Sequence, residues 1–161
     1  MELKKRNATS EDLERIEEIE KECFPPAEAA SKEKYCWRLE HYPQFFFVGE
    51  IDSVVVGLVC IIPTALDVIQ DTIFEMEELP IGKTAAVLSV NTSTHFRNQG
   101  IADKLLKYAL DKMREYGMES ACLTCKKHLI HYYKNFGFIE IGISESVHGG
   151  SVWYDMVCKL K

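Results

Sequence analysis

Arg97-Asn98-Gln99-Gly100-Ile101-Ala102 is the stretch of this chain that says most about its fold. It lies between an apolar run over residues 85–90, typical of a buried strand, and an amphipathic helical pattern over residues 101–113. A glycine turn between a strand and a helix points several backbone N–H groups in one direction, at the positive end of the helix dipole. Such a turn can bind a diphosphate without a metal ion. The stretch therefore predicts a cofactor that carries phosphate.

Two common phosphate-binding motifs do not fit this turn. No Gly-Lys-Ser/Thr sequence follows it, so it is not a P-loop. Only one of the glycines of a dinucleotide-binding fingerprint is present, and no acidic residue stands where the ribose would be bound. On its own, the pattern Arg-x-x-Gly-x-Ala also fits an ordinary glycine at the start of a helix.

The composition is that of a globular protein. The 161 residues are 47% hydrophobic and 27% charged, and we expect one domain over residues 1–161. A net charge of −6 disfavours nucleic acid as a partner and mildly favours small cationic or neutral substrates. No apolar run approaches the roughly 18 residues of a membrane helix. Residues 1–6 lack an apolar signal core, so we expect a cytoplasmic protein whose six cysteines are reduced.

The hydrophobic pattern alternates between helix and strand. Thr9 and Asp12 form a capping box before a helix over 10–23, and Ser31 can cap a second helix. The predicted strands are 3–6, 45–49, 54–62 (ended by Pro63), 83–91, 119–125, 138–143 and 152–160. A long helix covers 99–116 and ends at Gly117, a short one covers 127–135, and the acidic segment 64–82 is a short helix or a long excursion.

Residues 83–142 resemble a known family. The strand ending Leu88-Ser89-Val90, the turn at 97–102 and Tyr132-Tyr133-Lys134-Asn135-Phe136-Gly137-Phe138 together resemble the GNAT superfamily of acetyl-CoA-dependent N-acetyltransferases. Residues 24–31, 123–138 and 148–156 are similar to microbial members of its arylalkylamine (serotonin-type) branch. The resemblance implies a single α/β (α+β) domain, with a mixed, mostly antiparallel sheet flanked by helices on both faces.

It also implies an activity. Acetyl-CoA would donate an acetyl group to a primary amine, a small arylalkylamine or a polyamine, by direct attack in a ternary complex. The residues that match the family's cofactor-binding positions are Leu88, Ser89, Val90, Arg97, Asn98, Gln99, Gly100, Ile101 and Ala102. A Cβ on Gly100 would block the approach of the diphosphate. Tyr133 matches the tyrosine that protonates the leaving thiolate, although helical spacing alone also allows it as a core aromatic.

The residue that deprotonates the amine is not identified by the resemblance. Thr84 and Ala86 occupy the positions of the two histidines found in animal members, and the loop 91–96 is about two residues longer than usual. Glu28 and His148 are candidates for the base, and the other titratable options are His95, His128 and His131. Leu88 and Thr124 match family positions that contact the amine substrate. Glu28, as an alternative counter-ion for the ammonium, and His148 are the other candidate substrate-binding residues.

Other interpretations remain open at this point. Cys122 and Cys125 form a C-x-x-C, but an odd separation on a strand places them on opposite faces, so we expect no metal site. The chain could instead acetylate protein N-termini or lysines, or bind acyl-CoA without catalysis. We expect a monomer or a homodimer, with no nucleic-acid or membrane partner.

Overall fold

The computed structural model describes residues 2–161. Within this range seven strands form a single sheet in the order β1-β2-β3-β4-β5-β7-β6. The strands are β1 (Lys4–Asn7), β2 (Phe46–Ile51), β3 (Val54–Thr64), β4 (Thr84–Thr92), β5 (Ser120–Cys125), β6 (Ile139–Ile143) and β7 (Tyr154–Lys159). The α-helices are α1 (Leu13–Cys23), α2 (Lys32–His41), α3 (Ile101–Glu115) and α4 (Ile130–Lys134). Strands β4 and β5 are parallel, whereas β1-β2, β2-β3, β5-β7 and β6-β7 are antiparallel. The predicted mixed, mostly antiparallel sheet is confirmed.

Contacts divide the chain into two compact units. The first unit contains the residues up to Ile61 together with Ser89–Ala109, and the second contains Ile62–Leu88 and Leu110–Lys161.

Helices cover both faces of the sheet in the first unit. On one face, Ile16 of α1 and Tyr35 of α2 belong to a buried cluster with Phe46 and Leu58. On the other face α3 lies so close that a Cβ on Gly57 would be 3.2 Å from Ile101 and 3.7 Å from Leu105. The strand glycine therefore permits the close packing of the helix that follows the predicted phosphate turn.

The ends of the helices follow the sequence signals. The Asp12 carboxylate accepts a hydrogen bond from the Thr9 N–H at 2.8 Å, and the Ser31 side chain accepts one from the Lys34 N–H at 3.2 Å. Gly117 ends α3 with φ +80°, in the left-handed region that glycine adopts readily. The predicted helix over 10–23 begins with a 3-10 turn, Ser10–Asp12, and that over 127–135 is a 3-10 turn followed by α4.

The prediction that Pro63 ends a strand is wrong. Strand β3 continues through Pro63 to Thr64, and both residues are buried. Its ladder with β2 ends at the pair Phe46 and Cys60, so the missing N–H of Pro63 takes no hydrogen bond from that ladder. The turn between β2 and β3 is Asp52-Ser53, with φ values of +50° and +67°, typical of a tight hairpin.

In the second unit β7 pairs with β5 on one side and with β6 on the other. The acidic segment 64–82 is mainly an excursion without regular structure, and its one helical part is the 3-10 turn Asp71–Phe74. Among the described residues, none of the helices combines the length and the apolarity needed to cross a membrane.

Candidate active site

The predicted phosphate turn lies directly before α3, with Ile101 as the first helical residue. Asn98 has φ +63° and Gly100 has φ +75°, so two positions of the turn are left-handed. A Cβ built on Gly100 would have no protein atom within 4 Å. The backbone conformation, and not packing against the protein, therefore requires this glycine. The amide groups at the start of a helix bind anions, so the first turn of α3 is where we expect the diphosphate.

The loop before this turn is anchored to α1. The Glu22 carboxylate accepts hydrogen bonds from the Thr94 N–H at 2.9 Å, from the Thr94 hydroxyl at 3.0 Å and from the Ser93 hydroxyl at 3.0 Å. These bonds lower the pKa of Glu22, most of all the backbone bond from Thr94. The exposed Arg97 places its guanidinium 3.5 Å from the Cys23 Sγ. The longer loop is thus held in a defined 3-10 turn, Thr94–Phe96.

Ser89, a predicted cofactor-binding residue, takes part in a buried hydrogen-bond network of the first unit. Its hydroxyl lies 2.8 Å from the Tyr35 hydroxyl, which donates to Glu20 Oε1 at 2.6 Å. Glu20 also accepts from the Asn91 amide at 2.6 Å and from the Ala30 N–H at 2.7 Å. The network occupies the Ser89 side chain, which leaves the main chain of this strand as the part that can contact a cofactor.

Glu20 was not predicted as a functional or structural residue. It is 3% exposed, although charged residues are rarely buried without partners. Its position in the sequence indicates burial, because Glu20 lies four residues after the buried Ile16 and therefore on the apolar face of α1.

The parallel ladder between β4 and β5 is short. It contains three pairs, Thr84 with Ser120, Ala85 with Ala121 and Ala86 with Cys122, although both strands continue. Within the described residues of the second unit, Val87 and Leu88 have no partner in this ladder, and neither do residues 123–125. An unpaired strand edge can accept an extended group by main-chain hydrogen bonds, as the pantetheine arm of coenzyme A requires. Leu88 is half-buried at this edge.

Tyr133, the predicted general acid, lies on α4 and is 9% exposed. Its ring packs edge-to-face against Tyr132, with centroids 5.1 Å apart, and against Phe138 at 6.1 Å. Burial, with a smaller contribution from Cys125, raises the pKa of Tyr133 well above its usual value. The phenol therefore stays protonated at neutral pH and can donate a proton to a thiolate.

Thr124, a predicted substrate-binding residue, is half-buried on β5 and pairs with Asp155 on β7. Asp155 is 8% exposed and its Oδ1 is buried without a hydrogen-bond partner in the described structure. Burial, offset in part by a hydrogen bond from Ser144, raises the pKa of Asp155. No local sequence pattern marks this carboxylate as a site residue. Asp155 follows an apolar-aromatic stretch and lies far along the chain from most of the other candidate residues.

His148 lies in an aromatic cluster of the second unit. Its ring stacks on Phe74 with centroids 4.7 Å apart, and its carbonyl oxygen accepts a hydrogen bond from the Trp153 Nε1–H at 2.8 Å. Asp71 ties the excursion to this loop by accepting hydrogen bonds from the Ser146 hydroxyl at 2.5 Å and the Val147 N–H at 3.1 Å.

The other candidate bases are placed differently. Glu28 is buried in the loop between α1 and α2, in the first unit, where its backbone N–H donates to the Pro25 carbonyl at 2.9 Å. His95, His128 and His131 are exposed. Thr84 and Ala86, at the positions of the family's histidines, are buried on β4.

The comparisons with known proteins agree with this geometry. The model of the acetyltransferase (GNAT) family matches residues 13–138. A relative from Sulfurisphaera tokodaii, named N-alpha-acetyltransferase, is 27% identical in an alignment of 146 positions that covers 86% of this chain and 81% of that protein.

Two solved structures have the same fold. Ard1 from Thermoplasma volcanium superimposes with a TM-score of 0.79 at 19% identity, covering 99% of this chain and 98% of that one. The PaiA N-acetyltransferase of Thermoplasma acidophilum, solved with coenzyme A, gives 0.72 at 20% identity and covers 99% of both chains. By the match of the family model over most of its length, this chain belongs to the GNAT family and is an acetyl-CoA-dependent N-acetyltransferase.

Proposed function

We propose that this enzyme acetylates the primary amine of a small arylalkylamine by direct attack on acetyl-CoA in a ternary complex. The aromatic cluster of Phe74, His148 and Trp153 supports this substrate class best. It lies beside the strand end that carries Asp155, because the Ser144 N–H donates to the Trp153 carbonyl at 2.8 Å and Ser144 also hydrogen-bonds Asp155. An aromatic surface next to a buried carboxylate suits a cationic amine that carries a ring.

Each of the candidate residues has a proposed role. The main chain of residues 88–90 and of the turn 97–102 binds the pantetheine and the diphosphate, and Arg97 adds positive charge. Acetyl-CoA supplies the activated acetyl group when it is bound. Tyr133 donates its proton to the departing thiolate, and Thr124, Leu88 and His148 contact the amine. Glu28 attracts the substrate ammonium from the loop that contains it.

A peptide N-terminus is the second candidate substrate. The relative from Sulfurisphaera tokodaii is named an N-alpha-acetyltransferase, and a neighbour in fold is Ard1. A polyamine is a further option within the small-amine class, because the excursion carries the acidic residues Asp67, Asp71, Glu75, Glu77 and Glu78.

Release of free thiol from acetyl-CoA distinguishes these substrates. The purified protein would be assayed with 2-phenylethylamine, spermidine and a peptide with a free N-terminus. We expect the highest kcat/KM for 2-phenylethylamine. A preference for the peptide would overturn the proposed substrate class, and tight binding of acetyl-CoA without turnover of any amine would indicate a silent binding domain.

A further inference from the structure

Asp155 is a buried acid whose carboxylate has unused hydrogen-bonding capacity. Its Oδ1 is buried and accepts no hydrogen bond in the described structure, and only Ser144 bonds to the carboxyl group. Such a group costs free energy unless a partner satisfies it. Glu20, the other buried acid of interest, differs because its two oxygens already accept hydrogen bonds from Tyr35, Asn91 and Ala30.

The pairing of the strands places Asp155 on the face where the family's histidines would lie. Directly paired residues share a face of the sheet, as do alternate residues along a strand. Asp155 pairs with Thr124, Thr124 is two residues from Cys122, and Cys122 pairs with Ala86. The negative charge of Asp155 helps to raise the pKa of the Cys122 thiol, as expected for two side chains on the same face. Asp155 is two strands across and two residues along the strands from Ala86, which corresponds to about 12 Å.

There is room beside Asp155 for a small group. Its partner on β6 is Gly142, which has no side chain, and a Cβ built there would have no atom within 4 Å. Its partner on β5, Thr124, is small and half-buried. The face of the sheet that carries Asp155 is therefore open at Gly142, on the β6 side of the carboxylate.

Tyr133 lies on the opposite face of the same strands. Cys125 and Met156 share that face, with their sulfur atoms 3.6 Å apart. The charge of Cys125 contributes to the raised pKa of Tyr133, which places the phenol near this face. An acyl group at the end of the β4-β5 ladder would have the carboxylate on one side and the phenol on the other. This division suits a reaction in which one group takes a proton and another gives one.

We propose that Asp155 is the general base that takes a proton from the substrate ammonium. The inference rests on the proposed transfer to a primary amine, but not on the aromatic part of the substrate. The ammonium loses one proton to the Asp155 carboxylate, and the neutral nitrogen attacks the thioester carbon. The carbon–nitrogen bond forms and the carbon–sulfur bond breaks. Tyr133 protonates the thiolate and then takes a proton from solvent. The nitrogen loses its second proton to solvent, and Asp155 passes on the proton that it accepted. The reaction therefore releases one proton overall.

The surroundings of Asp155 favour proton acceptance. Burial is the main cause of its raised pKa, and Glu145 raises it further while Ser144 lowers it. Cys122 on β5 is the titratable neighbour on the same face, and the charge of Asp67 helps to raise the pKa of that thiol. A carboxylate with a raised pKa is a stronger base than an ordinary one.

The test compares Asp155→Asn with the wild type on 2-phenylethylamine and on its 2,2-difluoro derivative, whose ammonium is much more acidic. At neutral pH we expect kcat/KM to fall about a hundredfold or more for the parent amine. The loss should be much smaller for the fluorinated amine, because more of it is already neutral. Equal losses for both amines, or no loss, would overturn the role. Asp111→Asn, which changes an exposed acid of the same unit, is the matched control and should leave both rates near the wild-type values.

Two further measurements separate a catalytic role from a structural one. Calorimetry should give the same acetyl-CoA affinity for Asp155→Asn and the wild type. Asp155→Glu, which keeps a carboxylate, should recover part of the activity toward the parent amine; if it is as inactive as Asp155→Asn while still binding acetyl-CoA, the proposal is wrong.

The role of Asp155 and the proposed substrate class can fail separately. If the wild type acetylates only spermidine or the peptide, the arylalkylamine proposal fails and the same variants are compared on that amine across pH. A deficit of Asp155→Asn that shrinks as pH rises then supports the base, and a deficit independent of pH contradicts it. If the wild type acetylates none of the three amines, both proposals are overturned.

Discussion

At the scale of single residues, Glu20 shows how one buried carboxylate can hold three segments together. It accepts hydrogen bonds from α2, from β4 and from the loop at Ala30. Glu20→Ala should lower the free energy of unfolding by about 3 kcal/mol, because it leaves buried donors without an acceptor. Urea denaturation measures the change.

A surface glutamate of the same helix is the control for that experiment. Glu14 is exposed and lies 3.7 Å from Lys32 in an ion pair. Glu14→Ala should change the stability by less than about 1 kcal/mol, as exposed ion pairs contribute little. Similar losses for the two variants would mean that the buried network does not stabilise the fold.

Tyr133 is the proposed general acid for the departing thiolate. Tyr133→Phe keeps the packing against Tyr132 and Phe138 and removes only the hydroxyl, so kcat should fall at least tenfold with little change in acetyl-CoA affinity. Because burial raises the pKa of Tyr133, its acid form persists as pH rises, and it should cause no loss of activity between pH 7 and about 9.

The neighbouring tyrosine provides a matched comparison. Tyr132→Phe removes a hydroxyl from the same helix, and its ring also packs on Phe136. We expect turnover close to that of the wild type. An unchanged rate for Tyr133→Phe, or equal losses for the two variants, would remove Tyr133 from the mechanism.

At the scale of elements, the start of α1 links stability to pH. Burial opposes the ionisation of Asp12, but hydrogen bonds from Arg6, at 2.8 Å, and from Thr9 outweigh it and lower the pKa of Asp12. A lowered pKa in the folded state adds stability above the unfolded value of about 4, and this stability disappears as pH falls through the folded value. Asp12→Asn should therefore cost about 1 kcal/mol at pH 7, and the difference should narrow below about pH 4.

Thermal unfolding of both proteins across pH 2–7 measures this effect. Asp103, an exposed acid in the first turn of α3, offers a comparison, and Asp103→Asn should show a much weaker dependence on pH. A constant difference between Asp12→Asn and the wild type would show that the ion pair with Arg6 does not set the dependence.

Short-range signals predicted the helix ends well. The caps at Thr9, Ser31 and Gly117 depend on residues within a few positions of each other, and the structure confirms all three. The end of β3 depends instead on where its partner strand stops, so Pro63 gave the wrong boundary. The pairing of strands distant in sequence is not encoded in any local pattern.

At the scale of the whole molecule, some candidate site residues lie in local motifs, whereas others depend on the pairing of strands distant in sequence. The turn at 97–102 and Tyr133 belong to contiguous motifs, so the sequence alone could predict their roles, and those roles stay predictions. Asp155 becomes relevant only because β5 and β7 pair in one register, which brings it beside Thr124, 31 positions earlier in the chain. A hydrophobic pattern does not specify which residues of two such strands are neighbours.

The binding of acetyl-CoA at the entrance of α3 is the central claim about this enzyme. Gly100 and Gly117 precede and follow α3, have φ values of +75° and +80°, and would each carry a Cβ free of contacts within 4 Å. Alanine at either position should cost a similar backbone strain of about 1 kcal/mol. The two variants thus differ chiefly in whether the change lies at the predicted diphosphate site.

Calorimetric titration of acetyl-CoA into the wild type, Gly100→Ala and Gly117→Ala tests the claim most directly. We predict that Gly100→Ala weakens binding at least tenfold, while Gly117→Ala binds like the wild type. Equal affinity for all three proteins, each shown to be folded, would contradict the claim that the main chain of this turn holds the cofactor.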